Sequence, residues 1–319
     1  MPRSIVIFGN GLGMALAPNY FALSNGLESV WNNTNLLSQE HKTLIVSAIE
    51  GTTPEAPPSS EDQLDKLQVA IIAADFLRRL DIGETSWLTD QAKELPSAFK
   101  QYIHEVAIHF HNSGQKLPAK FLSPLSDYIK TTKSHVCTLN YDNLLYDGLR
   151  DTKVLDGYRG PLIDGFWREG FDDDHLERKI MSEHGWYMHL HGSPLFTGNQ
   201  KTMRDERLFL DAKIDSHIVL THVEHKPLII GSSQILSSYW RRLEKAFEES
   251  ERIILFGYSG LDHHLNKRIK LRQDEKKLLI VEWDGEGDAE ERNAYWHEKL
   301  EFNNFTLIQL QNILSFTAW

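Results

Sequence analysis

The sequence has one cysteine, no long apolar run and a deficit of basic residues. Cys137 is the single cysteine among 319 residues, which excludes an internal disulfide and a four-cysteine zinc site. This cysteine usage predicts a reducing compartment, and we expect a cytoplasmic protein. The apolar runs are far shorter than the ~20 residues of a membrane helix, so no membrane span is expected. Residues Ser4–Leu16 lack the charged region and the cleavage site of a signal peptide.

The charge balance is acidic. The chain has 34 Lys and Arg against 45 Asp and Glu, a net charge of −11. Proteins that bind nucleic acid displace counterions with a basic surface, so we expect no direct nucleic-acid binding. A local basic pocket for a small anion stays compatible with this balance. The hydrophobic content of 41% and charged content of 25% are typical of a globular chain rather than a disordered one.

Short apolar segments recur along the chain, and nearly all of them end in glycine or polar residues. The predicted strands are Ile5–Phe8, His135–Leu139, Trp186–Leu190, Leu228–Ile230, Ile253–Phe256, Leu278–Val281 and Phe305–Leu310. Their alternation with helical patterns predicts an α/β fold with a Rossmann-like parallel sheet and helices on both faces. Ligands of open parallel sheets bind beyond the carboxyl ends of the strands, so we expect the chemistry where the strand-end motifs converge.

A long helical pattern separates the first two strands. From Asn19 to Lys133 no strand signal interrupts it, and Leu95–Asn112 and Lys120–Lys130 are predicted helices. Ser60 is the predicted N-cap of another helix, with Gln63 completing a capping box. We therefore predict a sheet domain formed by residues 1–18 and 131–319 and a helical insertion subdomain over residues 19–130.

The first strand runs into a glycine-rich turn, Gly9-Asn10-Gly11-Leu12-Gly13. The backbone N–H groups of such a strand-to-helix turn can hold a pyrophosphate. The third glycine comes one residue earlier than in the dinucleotide pattern G-x-G-x-x-G, so a turn shaped for packing alone is the competing interpretation.

Two later strand ends carry further candidate cofactor contacts. Gly257 and Ser259 form a second strand-to-helix turn, whose hydroxyl is suited to a phosphate or a ribose. Glu282 follows the next strand at the position where dinucleotide folds use an acid to bind ribose hydroxyls, and a solvated strand end is the alternative.

Three residues are candidates for the chemistry itself. Asn140 and Asp142 follow a strand and suit a carboxamide and sugar hydroxyls, although an Asx-type turn would use the same residues. His189 and His191 have the spacing of a metal-chelating pair, but no third ligand stands out. His191 is therefore predicted as a general base at the strand end, and His189 as an interior histidine. Cys137 lies within an apolar strand and is predicted to be a small buried hydrophobe.

In chain order these strand-end clusters resemble the motifs of the sirtuin family, which are a glycine turn, T-Q-N-I-D, a catalytic H-G, G-T-S and a strand ending in I-N. The corresponding segments here are Gly9–Gly13, Thr138–Asp142, His191–Ser193, Gly257–Ser259 and Val281–Glu282. The resemblance implies catalytic roles for Asn140, Asp142 and His191. It also implies cofactor binding by Gly9, Asn10, Gly11, Gly13, Gly257, Ser259 and Glu282.

The departures from the sirtuin pattern narrow the implied function. Gly13 stands where the family has serine, and Leu139 where it has glutamine. No cysteine follows His191, so the zinc ribbon that shapes the acyl-lysine groove of sirtuin deacylases is missing, which disfavours a deacylase. The chain thus resembles the divergent, zinc-free sirtuin-like proteins of prokaryotic antiphage systems.

That resemblance implies an NAD+ glycohydrolase with NAD as its substrate and no metal. It would release nicotinamide and ADP-ribose and, once triggered, deplete cellular NAD during antiphage defence. The alternative is a non-catalytic sensor or scaffold subunit that binds NAD or ADP-ribose. The helical block is expected to contact a regulatory protein partner or a second copy of the chain.

Overall fold

A computed structural model describes residues 2–33, 36–49, 53–79, 88–157, 159–167, 170–179, 182–201, 217–220, 226–273, 275–302 and 304–319. The strands in these ranges are β1 (Ser4–Phe8), β2 (His135–Thr138), β3 (Leu162–Ile163), β4 (Phe166–Trp167), β5 (Gly170–Phe171), β6 (Gly185–His189), β7 (Phe196–Thr197), β8 (Gln200–Lys201), β9 (Arg252–Phe256), β10 (Lys277–Trp283) and β11 (Phe305–Leu310).

The helices in the same ranges are α1 (Gly11–Met14), α2 (Pro18–Phe21), α3 (Leu23–Trp31), α4 (Gln39–Ser47), α5 (Glu61–Arg79), α6 (Asp90–His111), α7 (Ala119–Thr132), α8 (Leu144–Asp151), α9 (Lys226–Ser232), α10 (Gln234–Glu249), α11 (His263–Lys270) and α12 (Ala289–Leu300). Short 3₁₀ helices cover Asp173–Leu176, Asp284–Glu286 and Ile313–Ser315. None of these helices combines the length and the apolarity needed to cross a bilayer.

A seven-stranded sheet in the order β11-β10-β9-β1-β2-β6-β3 forms the centre of the molecule. Every neighbouring pair in it is parallel, so the carboxyl ends of its strands share one edge. β1 and β2 are fully buried, and β9 is buried except at Arg252, in keeping with their largely apolar sequences. This arrangement confirms the predicted Rossmann-like α/β fold.

Helices cover both faces of the sheet. On one face, Tyr128 of α7 donates a hydrogen bond to Ser4 of β1 at 2.6 Å. On the other, Glu249 of α10 lies 3.2 Å from the ring of His135 on β2. The register partner of His135 is Ile5, which faces away from Ser4 because successive residues of a strand alternate between faces.

The described residues between β1 and β2 form helices α1 to α7 and no strand. Helices α3, α4 and α5 pack against α6, whereas α7 packs on the sheet. At the start of α5, Ser60 Oγ accepts from the Gln63 N–H as predicted, at 3.4 Å. The return bond of Gln63 goes to the N–H of Ser59 at 2.7 Å, one residue earlier than a capping box requires. The division at residues 18 and 130 stays a prediction, and α7 spans its second boundary.

The predicted strand Leu228–Ile230 is wrong, because these residues lie in helix α9. A run of three apolar residues does not distinguish a strand from a helix. Pro227 favours a helix here, since proline is tolerated in the first turn. Leu228 is 61% exposed while Ile230 is buried, which is the pattern of a one-sided helix rather than of a central strand.

Candidate functional site

The glycine turn after β1 touches the turn after β9. Gly9 N–H donates to the Phe256 carbonyl at 3.0 Å, and Gly11 N–H donates to the Gly257 carbonyl at 2.8 Å. A Cβ atom on Gly11 would lie 2.6 Å from Gly257 Cα, and Gly257 itself has a φ of +58°. Glycine is therefore required at both positions by backbone contact. These two N–H groups are engaged within the protein, which supports the packing interpretation of the turn.

The rest of the glycine turn lies against α2. Asn10 Nδ2 donates to the Phe21 carbonyl at 2.9 Å. A Cβ atom on Gly13 would lie 2.7 Å from the ring of Phe21, so a serine there would need the ring to move. The departure from the sirtuin serine thus has a steric cause in this chain.

Asn140 joins the end of β2 to the glycine turn. Its Nδ2 atom donates to the Gly9 carbonyl at 3.0 Å, and its backbone N–H donates to Thr138 Oγ1 at 3.1 Å. The residue is buried. Two motifs that are 131 positions apart in the sequence are therefore in direct contact at the carboxyl edge.

Asp142 forms an Asx turn, which the sequence offered as the alternative to a ligand-binding role. Its Oδ1 atom accepts from the Leu144 N–H at 3.0 Å, at the start of α8. Burial raises the pKa of the Asp142 carboxyl to about 7, although the N–H groups of Leu144 and of Asp142 itself lower it. The carboxyl therefore changes charge near neutral pH, a property that the motif alone does not reveal.

His191 lies two residues beyond the end of β6 and pairs with a buried acid. Its Nε2 atom is 2.7 Å from Asp262 Oδ2. Both side chains are buried, with 7% and 5% of their surfaces exposed. The other oxygen of Asp262 accepts from the Leu265 N–H at 3.0 Å and caps α11. Sequence reasoning missed Asp262 as a partner, and its one signal was an acidic residue directly before a helix.

A buried lysine joins this pair. Lys226, at the start of α9, places Nζ 3.1 Å from Asp262 Oδ2 and 4.0 Å from a Glu61 carboxylate oxygen. Burial by itself would raise the pKa of Asp262. The hydrogen bond from His191, the positive charge of that ring when it is protonated and the charge of Lys226 outweigh burial and hold that pKa well below its usual range. Glu61 is the first residue of α5, so the helical block reaches the site.

The turn that carries His191 needs a glycine next to it. Gly192 has a φ of +86°, and a Cβ atom there would overlap the His217 carbonyl oxygen. The His191 carbonyl accepts from the Val219 N–H at 2.9 Å, and Tyr141 Oη donates to the Val219 carbonyl at 2.6 Å. Residues 217–220 therefore cross the site between the ends of β2 and β6.

His189 and Cys137 are interior residues, as predicted. His189 is 2% exposed and lies among aromatic rings, with the Tyr187 and Phe196 rings at 5.0 Å and 5.4 Å. Cys137 is fully buried within β2, and burial raises the pKa of its thiol. A thiol with a raised pKa is a poor nucleophile at neutral pH.

Glu282 is committed to contacts within the protein. It lies inside β10 rather than after it, and it is 3% exposed. Arg292 donates to both of its oxygens at 3.0 Å and 2.8 Å, and Trp296 Nε1 donates to one of them at 2.7 Å. The predicted binding of ribose hydroxyls has to compete with these donors and stays a prediction. Ser259 is exposed, and its carbonyl accepts from Tyr295 at 2.7 Å.

A cavity of about 360 Å³ lies at the opposite edge of the sheet. Lys133, Pro161 and His184 line it, and they precede β2, β3 and β6. Ligands of open parallel sheets bind at the carboxyl edge, so this cavity is separate from the candidate site. Within the described ranges, His, Cys, Asp and Glu form no group of three that could hold a metal ion.

The structure brings most of the predicted site residues to one edge. Asn140 contacts Gly9, the glycine turn contacts Gly257, and His191 contacts Asp262, which follows Gly257 in the same turn. Asp142 follows Asn140 but is held by α8, and Glu282 lies on β10 beside β9.

The comparison with known families agrees with this arrangement. A family model described as a SIR2-like domain matches residues 134–302, more than half of the chain. The matched span contains Asn140, Asp142, His191, Asp262 and Glu282, whereas the glycine turn after β1 precedes it. No curated protein matches the chain.

Proposed function

Because the chain belongs to the SIR2-like domain family, whose domains use NAD as a substrate, we propose that it is an NAD+ glycohydrolase. The observation that carries the proposal is the meeting of four strand-end motifs at one sheet edge. Asn140 contacts the glycine turn, that turn contacts the turn after β9, and Asp262 of the latter contacts His191.

The proposed reaction breaks the bond between nicotinamide and the ribose. The electron pair of that C–N bond moves to the pyridinium ring, which leaves as neutral nicotinamide. Water adds to C1′ of the ribose, and one proton is released as ADP-ribose forms. The protein has to hold the leaving group, orient the water and take up that proton.

Each candidate catalytic residue has one part in this proposal. Asp142 accepts a hydrogen bond from the nicotinamide carboxamide, and Asn140 holds the ribose and orients the water. His191 accepts a proton from a ribose hydroxyl or from the water, which suits an imidazole at neutral pH. Water is the acceptor because a chain with one cysteine cannot form the four-cysteine ribbon of the sirtuin acyl-lysine groove.

The direct test is product analysis. Purified protein is incubated with NAD, and nicotinamide and ADP-ribose are separated by chromatography. The proposal predicts equal amounts of both products and their loss in His191→Ala. Because a triggered enzyme can be silent at rest, the assay is repeated with extract of phage-infected cells. Absence of both products in every condition, with NAD bound, would favour the second candidate.

The second candidate is a non-catalytic sensor or scaffold that binds NAD or ADP-ribose. The Phe21 ring against Gly13 and the internal bonds of Gly9 and Gly11 favour it, because they leave fewer groups for a substrate. Binding measured by calorimetry without any nicotinamide release is the result that this candidate predicts.

We also propose that the activity serves antiphage defence by depleting NAD. The support is the resemblance to zinc-free prokaryotic sirtuin-like proteins. Cells that express the wild-type chain should lose NAD during phage infection and restrict phage growth, whereas cells with His191→Ala should do neither. The experiment uses a panel of unrelated phages, so that the result does not depend on a single infecting phage.

The helical block is the proposed site of regulation by a protein partner or a second copy. Glu61 of α5 lies 4.0 Å from Lys226, so a movement of α5 would change the charges around Asp262. Val69, Ile72 and Phe76 of the same helix are exposed on one side, which supports a contact surface. Light scattering with and without Phe76→Glu tests self-association through this face.

A further inference from the structure

We propose that Asp262 is a positioning residue that fixes the tautomer of His191, so that Nδ1 of His191 is the nitrogen that accepts the proton. The observation is the contact of 2.7 Å between His191 Nε2 and Asp262 Oδ2, in a pair that is almost fully buried. The inference rests on the proposed function for the use of His191 as a base, but the tautomer itself can be measured without any activity.

The tautomer follows from counting protons. Asp262 Oδ1 accepts from the Leu265 N–H, and Oδ2 accepts from Lys226 Nζ. An ionised carboxylate has only acceptors, so Nε2 of His191 must be the donor in their bond. A neutral imidazole has one N–H, which leaves a lone pair on Nδ1. The described residues offer Nδ1 no hydrogen bond, so this lone pair is available to a substrate or a water.

Asp262 is itself held in a fixed orientation. Its carboxylate caps α11, and its backbone carbonyl accepts from Tyr258 Oη at 3.1 Å. Lys226 adds a third contact from α9. A base whose ring is oriented by a fixed second group is pre-organised for proton transfer.

The same carboxylate stabilises His191 after it has taken the proton. The imidazolium carries N–H groups on both nitrogens, and Nε2 still donates to Asp262. Lys226 opposes this effect, because its positive charge lies on the same carboxylate oxygen. Among the residues that the structure describes, the other titratable groups around the pair are Glu61, Tyr141, Tyr258 and His264.

The first test is ¹⁵N NMR of histidine-labelled protein, with His191→Gln used to assign the resonances. In the wild type we expect a protonated Nε2 and an unprotonated Nδ1. In Asp262→Asn, whose amide can donate to Nε2, we expect the opposite tautomer. A wild-type ring protonated at Nδ1, or a tautomer unchanged in Asp262→Asn, would overturn the proposal whether or not the protein cleaves NAD.

The second test is the pH dependence of kcat/KM for NAD cleavage. Asp262→Asn should lower turnover by about 10²–10⁴, as expected for the wrong tautomer. It should also move the acidic limb of the profile to lower pH, because the variant no longer places a negative charge 2.7 Å from the His191 ring. Lys226→Met should move the same limb to higher pH. A purely structural role predicts no opposite shifts.

Asp288→Asn is the matched control. Asp288 caps α12 through the N–H groups of Glu290 and Glu291, and asparagine caps a helix about as well as aspartate. This variant should leave both the tautomer and the acidic limb unchanged. A wild type that never cleaves NAD would contradict the proposed function. The NMR measurement would then still test whether Asp262 fixes the tautomer of His191. If Asp262→Asn does not fold, the NMR tautomer of the wild type and the pH profile of Lys226→Met still test the proposal.

Discussion

The side-chain amide of Asn140 donates a hydrogen bond to the carbonyl oxygen of Gly9 at 3.0 Å. This bond fixes the end of β2 against the glycine turn, so Asn140 has a structural contact as well as its proposed part in orienting water. Asn140→Ala should lower turnover by about 10² or more, because a misplaced nucleophile loses the benefit of orientation. The measurement is the rate of nicotinamide release.

Asn140→Asp tests the hydrogen bond to Gly9 separately from the size of the side chain. It keeps the size of the side chain but directs a carboxylate oxygen at the Gly9 carbonyl, so it should be at least as damaging. Asn293→Ala is the control, because Asn293 also donates its amide to a carbonyl, within α12. Wild-type rates in Asn140→Ala would exclude the proposed part of this residue in orienting water.

Most of the fold could be predicted because the strands of a buried parallel sheet are apolar throughout. Phe305–Leu310 has its predicted bounds, and five other predicted strands differ from the observed ones by one or two residues at an end, whereas β3 of the sheet was not predicted. The wrong strand prediction at Leu228–Ile230 shows that a run of three apolar residues does not determine secondary structure. The packing of α9 against α10 determines it there.

The site was predictable only in part. Strand-end motifs predicted that Asn140 and His191 lie at the carboxyl edge of the sheet, and the structure places both there, because parallel strands have their carboxyl ends together. The partners Asp262 and Lys226 were missed, because contacts between residues 36 and 71 positions apart leave no local pattern. The internal pairing of Glu282 was missed for the same reason, since Arg292 comes from the next helix.

The close contact between the turns after β1 and β9 predicts that a methyl group added at Gly11 destabilises the protein. In Gly11→Ala the new Cβ would meet Gly257 backbone atoms at 2.6 Å and 2.7 Å, and backbone cannot rotate away. Overpacking of this kind costs about 1–3 kcal/mol in the free energy of unfolding. Chemical denaturation measures it.

Gly231→Ala is the matched control for that substitution. Gly231 lies in α9, and no atom lies within 4 Å of the position that the alanine methyl group would take. Alanine should therefore be neutral there or stabilise by about 0.5–1 kcal/mol. Equal effects of the two substitutions would contradict the close contact of the turns.

The raised pKa of Asp142 predicts a pH-dependent stability. The folded-state pKa is about 7, above the value of about 3.9 in an unfolded chain. Between these values the folded state binds more protons, so this group makes the protein less stable as the pH rises. Asp142→Asn keeps an acceptor for the Leu144 N–H and removes the titration.

Denaturation at pH 5 and pH 8 checks this sign. The stability of Asp142→Asn relative to the wild type should increase from pH 5 to pH 8. A difference that stays constant, or that decreases over this range, would show that the carboxyl does not titrate near neutral pH.

Glu282 has two competing roles that different variants separate. If the carboxylate binds the adenosine ribose, Glu282→Ala should raise the KM for NAD and weaken the preference for NAD over NADP, because a carboxylate repels the extra phosphate. Steady-state kinetics with both nucleotides measures this preference.

Arg292→Met is the matched variant for the internal role. It leaves a buried carboxylate without its main partner and should lower the free energy of unfolding by about 3–5 kcal/mol. It retains the carboxylate and should therefore keep the nucleotide preference. If Glu282→Ala leaves the KM for NAD and the preference for NAD over NADP unchanged, Glu282 does not bind the ribose and only pairs with Arg292 and Trp296.

The central claim is that His191 is the base of an NAD-cleaving site. The deciding measurement is the rate of nicotinamide release together with NAD binding, for the wild type and His191→Ala under the condition that activates the wild type. We expect retained binding and turnover lower by about 10²–10⁴ in His191→Ala, with normal turnover in the buried-thiol control Cys137→Ala. Cleavage of NAD by His191→Ala at the wild-type rate would contradict it.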